Sequence, residues 1–234
     1  QAGGLHNAIP REASCVVSVP YAYKEQIRVD WNIFQADVEE EYSRTEKTME
    51  FILESVDAPE SVVDKKTARN LILALQAVDN GIFAMCQDID LVETSSNLAS
   101  IRKNAEEHTI VVNSSQRSSI LSARHNMAAT FRAPFELAGA EVVSGEGYPG
   151  WKMNPNSKLL VVAVEQYRKL YGKDPFVGGI HAGLECGLFS EKFPGMDMVS
   201  LGPTMRGVHS PDERMLIPSV QLVWDHLLAI LANI

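Results

Sequence analysis

Apolar positions recur along the chain with two periods, and each predicts its own kind of element. Ile27, Trp31, Phe34, Val38 and Tyr42 are spaced four, three, four and four apart, the stripe of one helix face. Ala68, Leu71, Ile72, Leu75 and Val78 mark a second helix, closed by Asn80-Gly81. "KTMEFILESV" instead alternates Met49, Phe51 and Leu53, as a half-buried strand does, and "SCVVSVP" (Ser14 to Pro20) reads as a strand ended by proline. "DLVETSSNLASIR" and "EEHTIVVNSSQRSS" read as two adjacent strands joined by "KNAEE". A helix from Ser118 to about Leu137, weakened near Pro134, and a short strand "AEVVSG" follow. This order predicts a two-layer sandwich, with helices on one face of a mainly antiparallel sheet.

"GEGYPGWKMNPN" holds three glycines and two prolines in twelve residues and is the expected module boundary. The expected domains are therefore 1–147 and 148–234. Beyond the boundary Ser157 caps a helix that runs to Tyr171 and stops at Gly172. "FVGGI" and "DMVSLG" read as short buried strands, and Ile217, Val220, Trp224, Leu227, Leu228 and Leu231 line a closing helix. Two strands and two helices of α/β character are too few to enclose a core of their own. The expectation is that a further part of the same polypeptide completes this module. The opening "QAGGLHNAIPREAS", without methionine, likewise reads as cut from something longer. The chain shows no internal repeat and no low-complexity tract.

Composition narrows the function classes. With 21 basic against 30 acidic residues and a net charge of −9, attraction to nucleic acid or anionic lipid is not expected. Apolar runs such as Leu159 to Val164 fall far short of the roughly 20 residues of a membrane span, and no secretory signal pattern opens the chain. The three cysteines, Cys15, Cys86 and Cys186, have no CxxC spacing, which argues against a disulfide framework and fits a soluble, cytoplasmic protein.

Three stretches carry candidate chemistry. In "GGIHAGLECGLF", Cys186 is a nucleophile with His181 as its base, or else a small buried thiol beside a glycine turn. His209, in the loop "RGVHSPDERM" after a buried strand, sits where α/β folds place their sites, and Glu185 is a further candidate ligand. Arg117 stands among hydroxyls at a strand-to-helix junction, where a guanidinium fork and helix-start amides suit a carboxylate or phosphate. The alternative is that Ser114, Ser115, Ser118 and Ser119 cap the helix and Arg117 is a surface charge. "EEE" at 39–41 and "EEH" at 106–108 read as solvated faces.

Taken together, "HNAIPREA" (6–13), "SSQRSS" (114–119) with "YPGW" (148–151), and "HAGLECGLF" followed by "MDMVSLGPTMRGVHSPDE" (181–213) resemble the aminoacyl-histidine (Xaa-His) dipeptidases of the M20 family of dinuclear zinc peptidases. The resemblance implies an α/β (α+β) chain: the later part of a lid domain, to about Gly147, then the returning C-terminal segment of a zinc-peptidase catalytic domain. It implies two zinc ions per site in the complete protein, with His209 similar to the one late ligand and the remaining ligands and general base in a missing N-terminal catalytic portion. Asn7 and Arg117 look like lid residues that bind the carboxylate of a dipeptide substrate, and Gly183 resembles a backbone contact to the same group. On that reading Glu185 orients neighbours, Cys186 is structural, the lid forms a homodimer, and the isolated chain is inactive. Two alternatives stay open: a non-catalytic binding or dimerisation module, and a cysteine-dependent hydrolase using Cys186.

Overall fold

The computed structural model describes residues 1–234 apart from 88, 146, 148, 152, 153, 155, 181–184 and 209–211. In chain order the elements are β1 (Ala2–Gly3), a 3-10 turn (Tyr21–Tyr23), α1 (Lys24–Glu41), α2 (Lys65–Ala77), β2 (Gly81–Met85), β3 (Val92–Asn104), β4 (Thr109–Ser118), α3 (Leu121–Leu137), α4 (Lys158–Tyr171), α5 (Glu185–Lys192), β5 (Met205–Arg206), β6 (Arg214–Met215) and α6 (Pro218–Leu231). Among the described residues the result is a mixed α/β fold with two open antiparallel sheets.

The larger sheet is built around β3. β4 pairs along one edge, from Thr94↔Ser118 to Asn104↔Thr109, while β2 and β1 share the other edge end to end. The β3–β4 turn is set by Asn104, whose side-chain oxygen accepts the amides of Glu106 (3.1 Å) and Glu107 (3.3 Å), while His108 takes φ 52°. A short amide side chain holding the next backbone amides is the local chemistry of such a turn.

α2 and α3 cover one face of this sheet. Ala74 of α2 and Val78, the residue that ends it, meet Phe131 and Phe135 of α3, and Leu71, Leu75, Leu98 and Val112 close around them. The two phenyl rings stack at 5.4 Å. Asp64 caps α2 by accepting the amides of Lys66 (3.0 Å) and Thr67 (3.1 Å), and Asn70 Nδ2 donates to the Ala138 carbonyl (3.1 Å), tying α2 to the end of α3. Pro134 lies inside α3 without ending it.

In the second half Ser157 Oγ accepts the Leu160 amide (2.9 Å) to start α4, and Gly172, at φ 65°, ends it. α4 packs on α6: His226 Nε2 donates to the Ala163 carbonyl (2.8 Å), its ring meets Tyr167 edge-on at 5.3 Å, and the Tyr171 hydroxyl donates to the Leu222 carbonyl (2.6 Å). No helix among the described residues is long and apolar enough to cross a membrane.

Several expected strands are absent. Residues 14–20, 47–56, 140–145, 176–180 and 197–202 are irregular, and Phe176 is 95% exposed. Alternation selects a face, but a strand also needs a neighbouring strand to take its N–H and C=O groups in a ladder, and among the described residues no strand pairs along these segments. Phe51 instead packs edge-on against Trp31 and Phe34 of α1, and Val142 joins the α2–α3 core. Conversely β1, β2, α5 and the β5–β6 ladder were not foreseen; residues 185–192, read as part of a glycine loop, are helical.

One capping interaction spans the second half. Asp197 Oδ2 accepts the Leu159 amide (2.9 Å) at the start of α4, and that hydrogen bond holds its carboxyl below the ordinary range. A carboxylate with a depressed folded pKa stabilises the fold above its unfolded value of about 3.9, and this stability is lost as pH falls through the folded pKa. Asp197→Ala is therefore expected to melt below the wild type at pH 7, with the gap closing as the pH is lowered beneath about 4. Thermal melts across that range check it.

Candidate functional site

The face of the large sheet opposite α2 and α3 carries the residues of interest. On β3, Thr94 and Ser96 are buried and Leu98 joins the helix-side core, so Ser95 and Asn97 point the other way. Their register partners on β4 are Arg117 and Ser115, which share that open face.

Residues 3–8 cross this face as a strap. Arg102 Nη2 donates to the Gly3 carbonyl at one end, and Asn97 Nδ2 donates to the Ala8 carbonyl (2.8 Å) at the other. The Ala8 amide donates to the Leu5 carbonyl (3.2 Å), which puts His6 and Asn7 at the middle of a turn. Gly3 has φ 59°, and a Cβ there would lie 2.1 Å from the Ala99 carbonyl oxygen, so no other residue fits this approach. The strap is doubled back on residues 12–14: Gly3 N–H donates to Glu12 (3.0 Å) and Ser14 N–H to Gln1 (2.8 Å).

Asn7 and Arg117 are both half-buried. The pin at Asn97 and the Arg117 partner Ser95 are two residues apart on β3, a separation of about 6.6 Å along the strand. The turn bearing Asn7 and the residue Arg117 are thus brought to the same end of one face.

Arg117 lies within β4, one residue before its end, rather than at a helix start. The capping alternative does not hold for the serines around it. α3 has no side-chain cap at Ile120, and of these serines Ser118 alone serves its start, accepting the Ile120 amide (3.0 Å). Ser114 and Ser115 are sheet residues on opposite faces, and Ser119 follows the end of β4; on the helix side Thr94 Oγ1 and Ser118 Oγ meet at 2.8 Å and Gln116 Nε2 donates to Ser96 (3.3 Å) and Ser114 (3.1 Å). On the open face Asn113 Nδ2 donates to Ser100 Oγ (3.1 Å). Arg117 makes polar contact of its own and is not a free surface charge.

Other sequence candidates fall elsewhere. Glu185 opens α5, followed by half-buried Cys186. Gly183 and His181 lie outside the described residues, as does His209, which falls in sequence between β5 and β6. Among the described residues no three side chains of His, Cys, Asp or Glu converge as a metal site requires, so they do not by themselves fit a zinc ion. Sequence reasoning missed Asn97 and Arg102, the two pins of the strap. An asparagine inside an otherwise serine-rich strand, where that residue type is depleted, was the available signal.

No family model matches the chain. It is 35% identical to the cytosol non-specific dipeptidase of Escherichia coli K12 over 237 aligned positions, which cover 99% of this chain and 48% of that protein. Among solved structures it matches the aminoacylhistidine dipeptidase of Vibrio alginolyticus with 37% identity and a TM-score of 0.84, over 100% of this chain and 47% of that one. The aminopeptidase PepT of Bacillus cereus matches with 19% identity and a TM-score of 0.53, over 70% of this chain and 44% of its own, which is a likeness of fold alone. The chain spans about half the length of the relatives it matches.

Asn97→Ala removes one pin of the strap at a cost of about 0.5–1.5 kcal/mol. Hydrogen exchange should then quicken at residues 5–8 while the β3–β4 amides keep their protection.

Proposed function

We propose that this chain, homologous over its whole length to the aminoacyl-histidine dipeptidases of the M20 family, is the lid and returning catalytic segment of such a dipeptidase. The observation that carries the proposal is the 0.84 TM-score at 37% identity over the entire chain. In this reading residues 1–147 belong to the lid and 148–234 to the catalytic domain. The complete protein hydrolyses Xaa-His dipeptides, works in the cytoplasm and dimerises through the lid. The isolated chain is inactive, because one half of the cleft is supplied by a missing N-terminal portion.

The roles follow from what a dipeptidase must recognise. A free carboxylate two residues from the substrate's amine marks the correct length, and a guanidinium fork beside an amide suits it. Arg117 and Asn7 fill those roles, with Gly183 adding a backbone contact. The strap over the open face sets where Asn7 stands, and the Ser95 register sets where Arg117 stands. His209 is the zinc ligand from this chain. The two zinc ions of the complete protein supply the polarised carbonyl and activated water that peptide hydrolysis needs.

A charge-assisted hydrogen bond is worth about 1.5–3 kcal/mol, or roughly 10- to 100-fold in affinity. In the full-length protein Arg117→Ala is expected to raise KM for an Xaa-His dipeptide by that factor with little change in kcat, and to leave the corresponding dipeptide amide nearly unaffected. Chelation should abolish activity, and full activity after chelation would overturn the proposal. Cys186→Ser should leave turnover unchanged; its loss would favour the cysteine-hydrolase alternative.

A further inference from the structure

Residues 198–203, "MVSLGP", run from the start of α4 to the start of α6 and are fastened at both ends. Before them the Asp197 carboxylate accepts the Leu159 amide (2.9 Å). After them the Thr204 amide donates to Ser219 Oγ (2.9 Å), and the Thr204 carbonyl accepts the Leu216 amide (2.9 Å). Between these fastenings, no hydrogen bond among the described residues reaches an N–H or C=O group of 198–203. The stretch carries no charge. It borders the same open groove as Leu160, Val164 and Tyr167 of α4 and Val223 of α6. A free length of main chain thus lies beside a largely apolar wall.

An apolar, uncharged and unpaired length of backbone, held in place, is a template for a further strand, and native proteins keep such edges covered. These are also residues whose types read as a buried strand, and what they lack is the neighbour. Length says what supplies it. The Vibrio alginolyticus and Escherichia coli dipeptidases match 100% and 99% of this chain, which spans only 47% and 48% of them, so about as much polypeptide again lies outside the match. A strand joined to the edge within one polypeptide acts at an effective concentration on the order of millimolar, which a second copy would have to match in solution. We infer that residues 198–203 are the acceptor position for a β-strand from the half of the dipeptidase outside residues 1–234, which pairs main chain to main chain along this edge and lays its apolar side chains on α4 and α6. This deepens the dipeptidase reading and rests on it.

The test uses the full-length, metal-loaded protein, and its first arm needs no variant. Hydrogen exchange at the amides of residues 198–202 is expected to be at least about 100-fold slower than in an unstructured peptide, and to stay so when the protein is diluted about a hundredfold. In the second arm a photoreactive benzophenone side chain replaces that of Ser200, which is exposed. Its crosslinks are expected within one polypeptide, to peptides outside residues 1–234. Fast exchange at these amides, or protection lost on dilution, would overturn the inference. Crosslinks that join two polypeptides, or that return to residues 1–234, would overturn it as well. Hydrolysis of an Xaa-His dipeptide by the same preparation reports on the dipeptidase reading separately: chelator-sensitive activity alongside unprotected amides sinks the inference alone, and the absence of such activity sinks both.

Discussion

The pairing of β3 with β4 is the constraint on which the rest of the large sheet depends, and it is specified by polar groups. Thr94, Ser96 and Ser100 are all buried, and each meets a side chain of β4: Ser118, Gln116 and Asn113. A buried hydroxyl left without a partner costs about 1–3 kcal/mol. A slip of one residue would break all three pairs and move Leu98 and Val112 out of the core they share with Phe131 and Phe135. Polar and apolar requirements therefore select the same register. The placement of Arg117 opposite Ser95 follows from it.

Helices were the most legible part of the fold, because each carries its own evidence. The Trp31–Phe34–Val38 stripe, the Ser157 cap and the Gly172 stop are local signals, and α1 and α4 fall where those signals put them. Strands were legible only where both partners lay side by side in sequence, as in β3 and β4. Val16, Val17, Phe176 and Ile180 have the residue types of strands and remain exposed, since propensity supplies no neighbour for their backbone groups. α5 escaped notice because its eight residues, flanked by glycines, present no sustained period.

The candidate site was legible in a different way. Periodicity and composition point to no chemistry at Asn7, and by themselves they favour reading Arg117 as a surface charge beside capping serines. Motif resemblance singled out both, and the sheet then explains how residues 110 positions apart in the chain come to one face: Asn97 and Arg102 fasten the strap beside the Arg117 pair. Gly183 and His209 lie outside the described residues, so their roles rest on the motifs alone.

That fastening has a consequence for the order in which the molecule assembles. Gly3 and Arg102 are 99 residues apart, and Ala8 and Asn97 are 89 apart, so the strap can settle only on a sheet that already exists. Closing so long a loop costs little more than closing a short one, about 0.6 kcal/mol for each doubling, but the search for it is slow. The turn that carries Asn7 is thus among the last parts to find its place during folding, and the hairpin of β3 and β4 is the template that waits for it.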